Sequence, residues 1–331
     1  MTSAMHAQDT PIRGIDLFGT SQITIEQVRQ RFGKDIRELV KASSVGDDQT
    51  FANLYDKITS GIQAMGDFAY VAVSPVTYYN DGKYVYVTID IVDRKDSQRL
   101  LNFLPAPEAD FPDPDGLLAA WEEYEETASA LLNKGELKAS GVRCPALHCI
   151  WGFDHPKLKK YEGIFQTKVP KNKAALKAIL HGDKLETHRA SAAFLLSHIA
   201  DPVELVQTLL PSIRDSSATV RNNVMRVLAD LAKERNDLAI PIDPFLEALD
   251  FPETSDRNKA LATLACLATK PANKEALIRK AGASLIRILR LLQPNNHDFA
   301  YAILKEISGK HFSARDYQAW QAWLDGQMGT K

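Results

Sequence analysis

A pattern of apolar and small residues recurs four times in the second half of the chain and limits the fold more than any other feature. Aligned on Arg189, Arg221, Arg257 and His297, the chain places Ala192, Val224, Ala260 and Ala300 three positions later. Leu196, Leu228, Leu264 and Leu304 follow at offset 7, and Ile199, Leu231, Leu267 and Ile307 at offset 10. Ala200, Ala232, Ala268 and Ser308 complete the frame at offset 11. These offsets fall on one face of an α-helix, and the small residues among them let neighbouring helices approach closely. The frames are 32, 36 and 40 residues apart. Such a chain stacks helix pairs, each burying the apolar face that its neighbour leaves.

A second helix precedes each frame. Asp201-Pro202 is a cap followed by proline at the first helical position, opening a helix over 202–214 with Val203, Val206, Leu209, Leu210 and Ile213 as its apolar face. Asp183 and Asp215 each lie six residues before a frame arginine, in the turn between paired helices. This Asp-turn-Arg arrangement resembles HEAT and HEAT-like repeats, in which the arginine braces the turn aspartate of a neighbouring repeat. The resemblance implies structural roles for Arg189, Arg221, Asp183 and Asp215. The last frame has His297 and lacks the aspartate, as a terminal repeat would. The chain closes on Trp320, Trp323 and Leu324 at helical spacing, which predicts a cap over the end of the stack and is similar to the endings of bacterial HEAT-repeat proteins.

The first third reads differently. Ile12–Phe18 alternates as a strand up to Gly19. Thr24 and Gln27 form a capping-box pair ahead of a helix over 25–32, which Gly33 is expected to end. Phe51, Leu54, Ile58 and Ile62 mark one face of a second helix over 51–65. Strands over 68–79 and 84–93 flank an Asn80-Asp81-Gly82-Lys83 hairpin turn. In the later strand Val85, Val87, Ile89 and Ile91 alternate with Tyr84, Tyr86, Thr88 and Asp90, which predicts one buried and one polar face. The order strand-helix-helix-strand-strand, with its Gly66-Asp67-Phe68 step, resembles the polypeptide-transport-associated (POTRA) domain. That resemblance implies a docking module that adds a partner strand to an open sheet edge. The expected fold class is therefore an α+β N-terminal domain (POTRA-like β-α-α-β-β) over 11–104, followed by an all-α HEAT-like helical solenoid with its cap over 171–331.

Between these parts, 105–170 holds a linker with four prolines over 105–114, an acidic helix and a cysteine-containing connecting segment. The glutamates of Trp121-Glu-Glu-Tyr-Glu-Glu126 read as a solvated face. Cys144 and Cys149, five positions apart, can close a small disulfide loop, remain reduced thiols, or join His148 or His155 at a metal. The expectation is a disulfide and no metal or cofactor. Cys266 takes a polar repeat slot, the one filled elsewhere by His198, Asp230 and Glu306.

Residues 1–170 carry 18 basic and 24 acidic side chains and residues 171–331 carry 22 and 18, so neither half has the charge of a nucleic-acid binder. No phosphate-binding glycine loop, G-x-S-x-G or H-E-x-x-H occurs. No apolar run is long enough to span a membrane. Residues 1–10 read as a disordered tail or signal-peptide remnant, with Ala7-Gln8 like a cleavage site. That feature, with the POTRA-like part and the spaced cysteines, favours the periplasm over the cytoplasm. The expected function is a non-catalytic protein-protein interaction scaffold or adaptor, not an enzyme, bound to a protein partner and not to nucleic acid. Its contacts are the concave face of the repeats, through Asn222, Asn223, Arg226 and Asp230, and strand addition to the N-terminal sheet. The alternative is a HEAT-repeat enzyme, bilin lyase-like or DNA glycosylase-like.

Overall fold

A computed structural model describes residues 10–79, 82–137 and 143–329. The chain forms two compact units. The first comprises Met1–Leu101, Asp250–Asn258 and Glu275–Lys331, and the second Asn102–Leu249 and Lys259–Lys274. The linear division expected at 104/105 lies near the first break. The C-terminal helices, however, belong to the same unit as the N-terminal sheet.

In the first unit β1 (Ile12–Phe18), α1 (Ile25–Val45), α2 (Asp48–Gln63), β2 (Phe68–Tyr78) and β3 (Tyr84–Asp93) make a small three-stranded mixed sheet with two helices. The strand order is β1-β3-β2, with β1 parallel and β2 antiparallel to β3. The hairpin residues Asn80 and Asp81 lie outside the described residues, as do the tail and Ala7-Gln8. Thr24 caps α1 with the reciprocal Gln27 contact. Gly33 does not end this helix. A mid-helix glycine costs only about 1 kcal/mol, and Ile36, Leu39 and Val40 continue the buried face to a left-handed C-cap at Gly46. Ile58 and Ile62 of α2 join that core beneath Val85, Val87, Ile89 and Ile91 of β3.

The polar face expected on β3 is also buried: Thr88 and Asp90 are both out of water. Residues 250–258 and the segment around 292–296 supply its cover within the same unit. Thr254 Oγ1 and Arg257 Nη2 donate to the two oxygens of Asp90 at 2.6 and 2.8 Å. Arg257 also lies over the Phe18 ring and donates to Asn296 Oδ1. Tyr70 of β2 donates to Glu253. The unit is completed by α11 (Gly282–Ile288), α12 (Pro294–Ser308) and α13 (Tyr317–Met328). Trp320 and Leu324 of α13 are buried, Leu324 against Gly282, and Trp323 is half-buried.

The second unit contains α3 (Leu117–Asn133), α4 (Lys159–Gly182), α5 (Glu186–Leu195), α6 (Pro202–Leu209), α7 (Ala218–Glu234) and α8 (Asp243–Ala248). It also takes the later turns of α9 (Thr254–Leu267) and the start of α10 (Pro271–Ala276). Helix α5 packs against α4 and α7, and α3 against α4 and α5. The segment 105–170 is part of this unit rather than a connection. Trp121 and Tyr124 of α3 are buried among Phe153, Tyr161, Phe165 and Phe194, a core of aromatic rings that no repeat offset encodes. Helix α4 runs through Pro170, so the boundary expected at 170/171 falls inside a helix.

The turn arginines and aspartates form a regular ladder. Arg189 grips Asp215 through two hydrogen bonds of 2.8 and 2.9 Å, with both side chains buried. Its Nη1 also donates to the carbonyls of Asp183 and Lys184. Arg221 repeats the second contact one step on, donating to the carbonyls of Asp215 and Ser216, and lies over the Phe103 ring. Each aspartate accepts the N–H two residues ahead, Asp183 from Leu185 and Asp215 from Ser217.

Candidate functional site

Two features of the fold can bind something, one in each unit. In the second unit, the half-buried Arg226 and Asp230 stand one turn apart on α7. They meet residues that lie outside the repeat frames. Nδ1 of His148 donates to Oδ2 of Asp230 at 2.6 Å, and the His148 ring stacks on Phe194. The His148 loop is fastened in two more places: Leu147 N donates to the Ser197 carbonyl and Ser197 Oγ to the His148 carbonyl. A disulfide joins Cys144 and Cys149 across this loop.

Glu125 on α3 is half-buried rather than a member of a solvated face; burial raises its pKa, opposed by Trp121 and Arg226. Burial also lowers the Arg226 guanidinium, although Asp230 and Glu125 pull it up. Lys259, on the part of α9 that belongs to this unit, is held down at about 8, first by burial and then by the Arg226 charge. Burial pushes the Asp230 carboxyl up, but the His148 hydrogen bond and charge bring it below its usual value. His148 Nε2 and Arg226 Nε are buried with no hydrogen-bond partner among the described residues.

The other two expected contact residues behave differently. Asn222 is half-buried, and Asn223, also half-buried, donates to the Ala190 carbonyl, which ties α7 to α5. Lys259 occupies the repeat slot of Ser191 and Asn223, two positions after the frame residue. That equivalence was the available signal for it. Nothing in the sequence near His148 indicates its pairing with Asp230, 82 positions away.

In the first unit β1 lies at one edge of the sheet, and a groove of about 570 Å³ opens beside it. Its wall is α1, through Arg29, Gly33, Arg37, Glu38 and Lys41, with Arg13 at the strand. A second groove of about 780 Å³ continues past Ile15 to Ser21 and is bordered by Arg29, Lys95, Arg287 and Arg290. Arg29 donates to the Ile15 carbonyl, and Arg37 and Lys41 have no ion-pair partner among the described residues. The opposite edge is less open. Gln63 of α2 donates to the Phe68 carbonyl, and β2 carries Pro75, which cannot donate.

Among the described residues no group of His, Cys, Asp and Glu could hold a metal ion, and no helix is long and apolar enough to cross a membrane. Comparison with known proteins returns no matching family model, no matching curated protein and no matching solved structure.

Proposed function

We propose that the protein is a non-catalytic scaffold that binds an extended, acidic segment of a partner protein by strand addition to β1, with the polar face of α7 as a second contact. The carrying observation is the β1 edge itself. Among the described residues no strand pairs with its outer side, and Arg13, Arg29, Arg37 and Lys41 flank it with one acid, Glu38. Main-chain hydrogen bonds supply affinity in strand addition, and flanking charges choose the partner. The resemblances to POTRA and HEAT-like proteins support the same reading, as does the short disulfide loop for a periplasmic location.

The test is fluorescence anisotropy with a labelled peptide of alternating valine and glutamate. Binding is expected to weaken with salt and to fall about tenfold or more in Arg29→Glu/Arg37→Glu, since each charge reversal replaces attraction with repulsion. Methylating alternate peptide nitrogens removes the ladder donors and is expected to abolish it. Equal binding by the methylated peptide would reject strand addition, and equal binding by a lysine counterpart would reject the acidic partner.

A further inference from the structure

We infer that the groove beside β1 selects its partner strand by side-chain spacing: acid, bulky apolar, acid and acid at alternate positions. This selection rests on the strand-addition reading, since only an extended partner has the required repeat. Arg29, Gly33, Arg37 and Lys41 follow one another at steps of four residues, so they form one row along α1, and all four line the groove. The row adjoins the buried row Val28, Phe32, Ile36 and Val40, which fixes it against the sheet. Arg29, Arg37 and Lys41 are exposed. Arg13, the remaining cation of the groove, lies over the Tyr84 ring at 3.6 Å, which leaves the choice of partner to α1.

Four residues of helix advance about 6 Å and two residues of strand about 6.7 Å. An added strand therefore brings alternate side chains opposite successive positions of the row. Over three steps the mismatch is about 2 Å, which the long stems of arginine and lysine absorb. Each cation then faces a carboxylate. At Gly33 the row has a gap, where a Cβ would meet only the tip of Arg37 at 3.9 Å. The gap is walled by the apolar stems of Arg29 and Arg37, so the strand residue opposite it is bulky and apolar.

The order follows from the course of α1. Ile25 and Arg29 border the second groove with residues 15–21, whereas Gly33, Arg37 and Lys41 line the first with residues 10–15, so α1 runs back along β1. Antiparallel pairing is the more stable per residue, and a strand antiparallel to β1 runs with α1. It reads acid-x-apolar-x-acid-x-acid from its N-terminus. Arg29 Nη2 donates to the Ile15 carbonyl at 3.5 Å, long for a hydrogen bond, and the first acid competes for that guanidinium and frees the carbonyl for the ladder.

The test is fluorescence anisotropy with labelled, capped peptides of one composition: three glutamates, one leucine and three threonines. The peptide with glutamate first, fifth and seventh and leucine third is expected to bind about tenfold tighter than one with its glutamates adjacent, and about threefold tighter than the reversed sequence. Arg37→Glu is expected to prefer lysine at the fifth position. Gly33→Leu, which adds a side chain to open space, is expected to erase the preference for leucine over alanine at the third. Equal binding of the ordered and regrouped peptides, with backbone methylation abolishing both, overturns the pattern and leaves strand addition standing. So does an Arg37→Glu protein indifferent to lysine at the fifth position. A reversed peptide that binds as well overturns the antiparallel order, and a leucine preference that survives Gly33→Leu overturns the gap. Loss of all binding, or binding that methylation leaves intact, overturns the strand-addition reading and the pattern with it.

Discussion

Oδ2 of Asp16 accepts the backbone N–H of Gln293 at 2.9 Å, at the turn position that the first two frames serve with an aspartate of their own. Asp183 and Asp215 each accept the N–H two residues ahead, and the corresponding residue before Gln293 is Leu291. The edge strand of the sheet therefore supplies the carboxylate that the last frame lacks. Both Asp16 oxygens are used, since Leu292 N donates to them at 2.8 and 3.0 Å. Removing the acceptor strands a buried donor, which costs about 1–3 kcal/mol. Asp16→Ala should lower the unfolding free energy by that amount in urea titrations. Asp16→Asn should cost less, because one oxygen still accepts. Equal stability of Asp16→Ala and the unaltered protein would show that the turn needs no acceptor.

Arg257 and Asp90 extend the same substitution. By the frame, Arg257 corresponds to Arg189, whose partner is the next turn's aspartate; its partner is instead Asp90 of β3, with both side chains buried. Breaking one side of a buried pair costs about 3–5 kcal/mol, whereas replacing both with apolar residues is often neutral. Asp90→Ala should therefore destabilise much more than Asp90→Leu/Arg257→Met. Calorimetry on both variants checks the order.

His198 should make stability sensitive to mild acid. Burial, with His148 as a smaller cause, holds its imidazole down at about 4 from the ordinary 6.5. The folded form therefore resists the proton that the unfolded chain accepts. Its contribution is intact above the unfolded value, falls as pH drops from 6.5 towards 4, and is constant below that. The full loss is up to about 3 kcal/mol. His198→Phe should flatten this part of the stability profile relative to the unaltered protein, measured by urea titration at several pH values. Parallel profiles would place the acid sensitivity elsewhere.

The Cys144–Cys149 loop should lose stability but not position when it is reduced. Closing so short a loop contributes about 2 kcal/mol through the unfolded chain. The contacts of Leu147 and His148 with Ser197 and Asp230 do not involve sulfur. Cys144→Ala/Cys149→Ala should thus unfold more easily while the Leu147 amide stays protected from hydrogen exchange. Fast exchange there would mean that the disulfide alone docks the loop.

The helical frame and the three strands were legible because each buries a face at a fixed period. Ala192, Val224 and Leu228 announce α5 and α7, and Val85 to Ile91 announce β3. The second face of β3 was not legible, because Thr88 and Asp90 look like solvent-facing residues until a distant arginine meets them. Gly33 misled in the same way, since its penalty is small beside the packing of Ile36 and Leu39. At the candidate site Arg226 and Asp230 were readable from their place on the repeat helix. Glu125 and His148 were not, because burial of a charged or polar side chain depends on partners that local spacing does not encode.

The first unit is assembled from three separated stretches, and this sets a schedule for its birth. The strands carrying Asp16 and Asp90 are synthesised first, while Arg257 and Gln293 follow only after 102–249 have been made. At about 5–20 residues per second that interval is roughly 7 to 30 s. Throughout it, two carboxylates and the face between them have water in place of their eventual partners. A nascent chain of this protein should therefore acquire a protease-resistant sheet late, after the ribosome has passed the middle of the message.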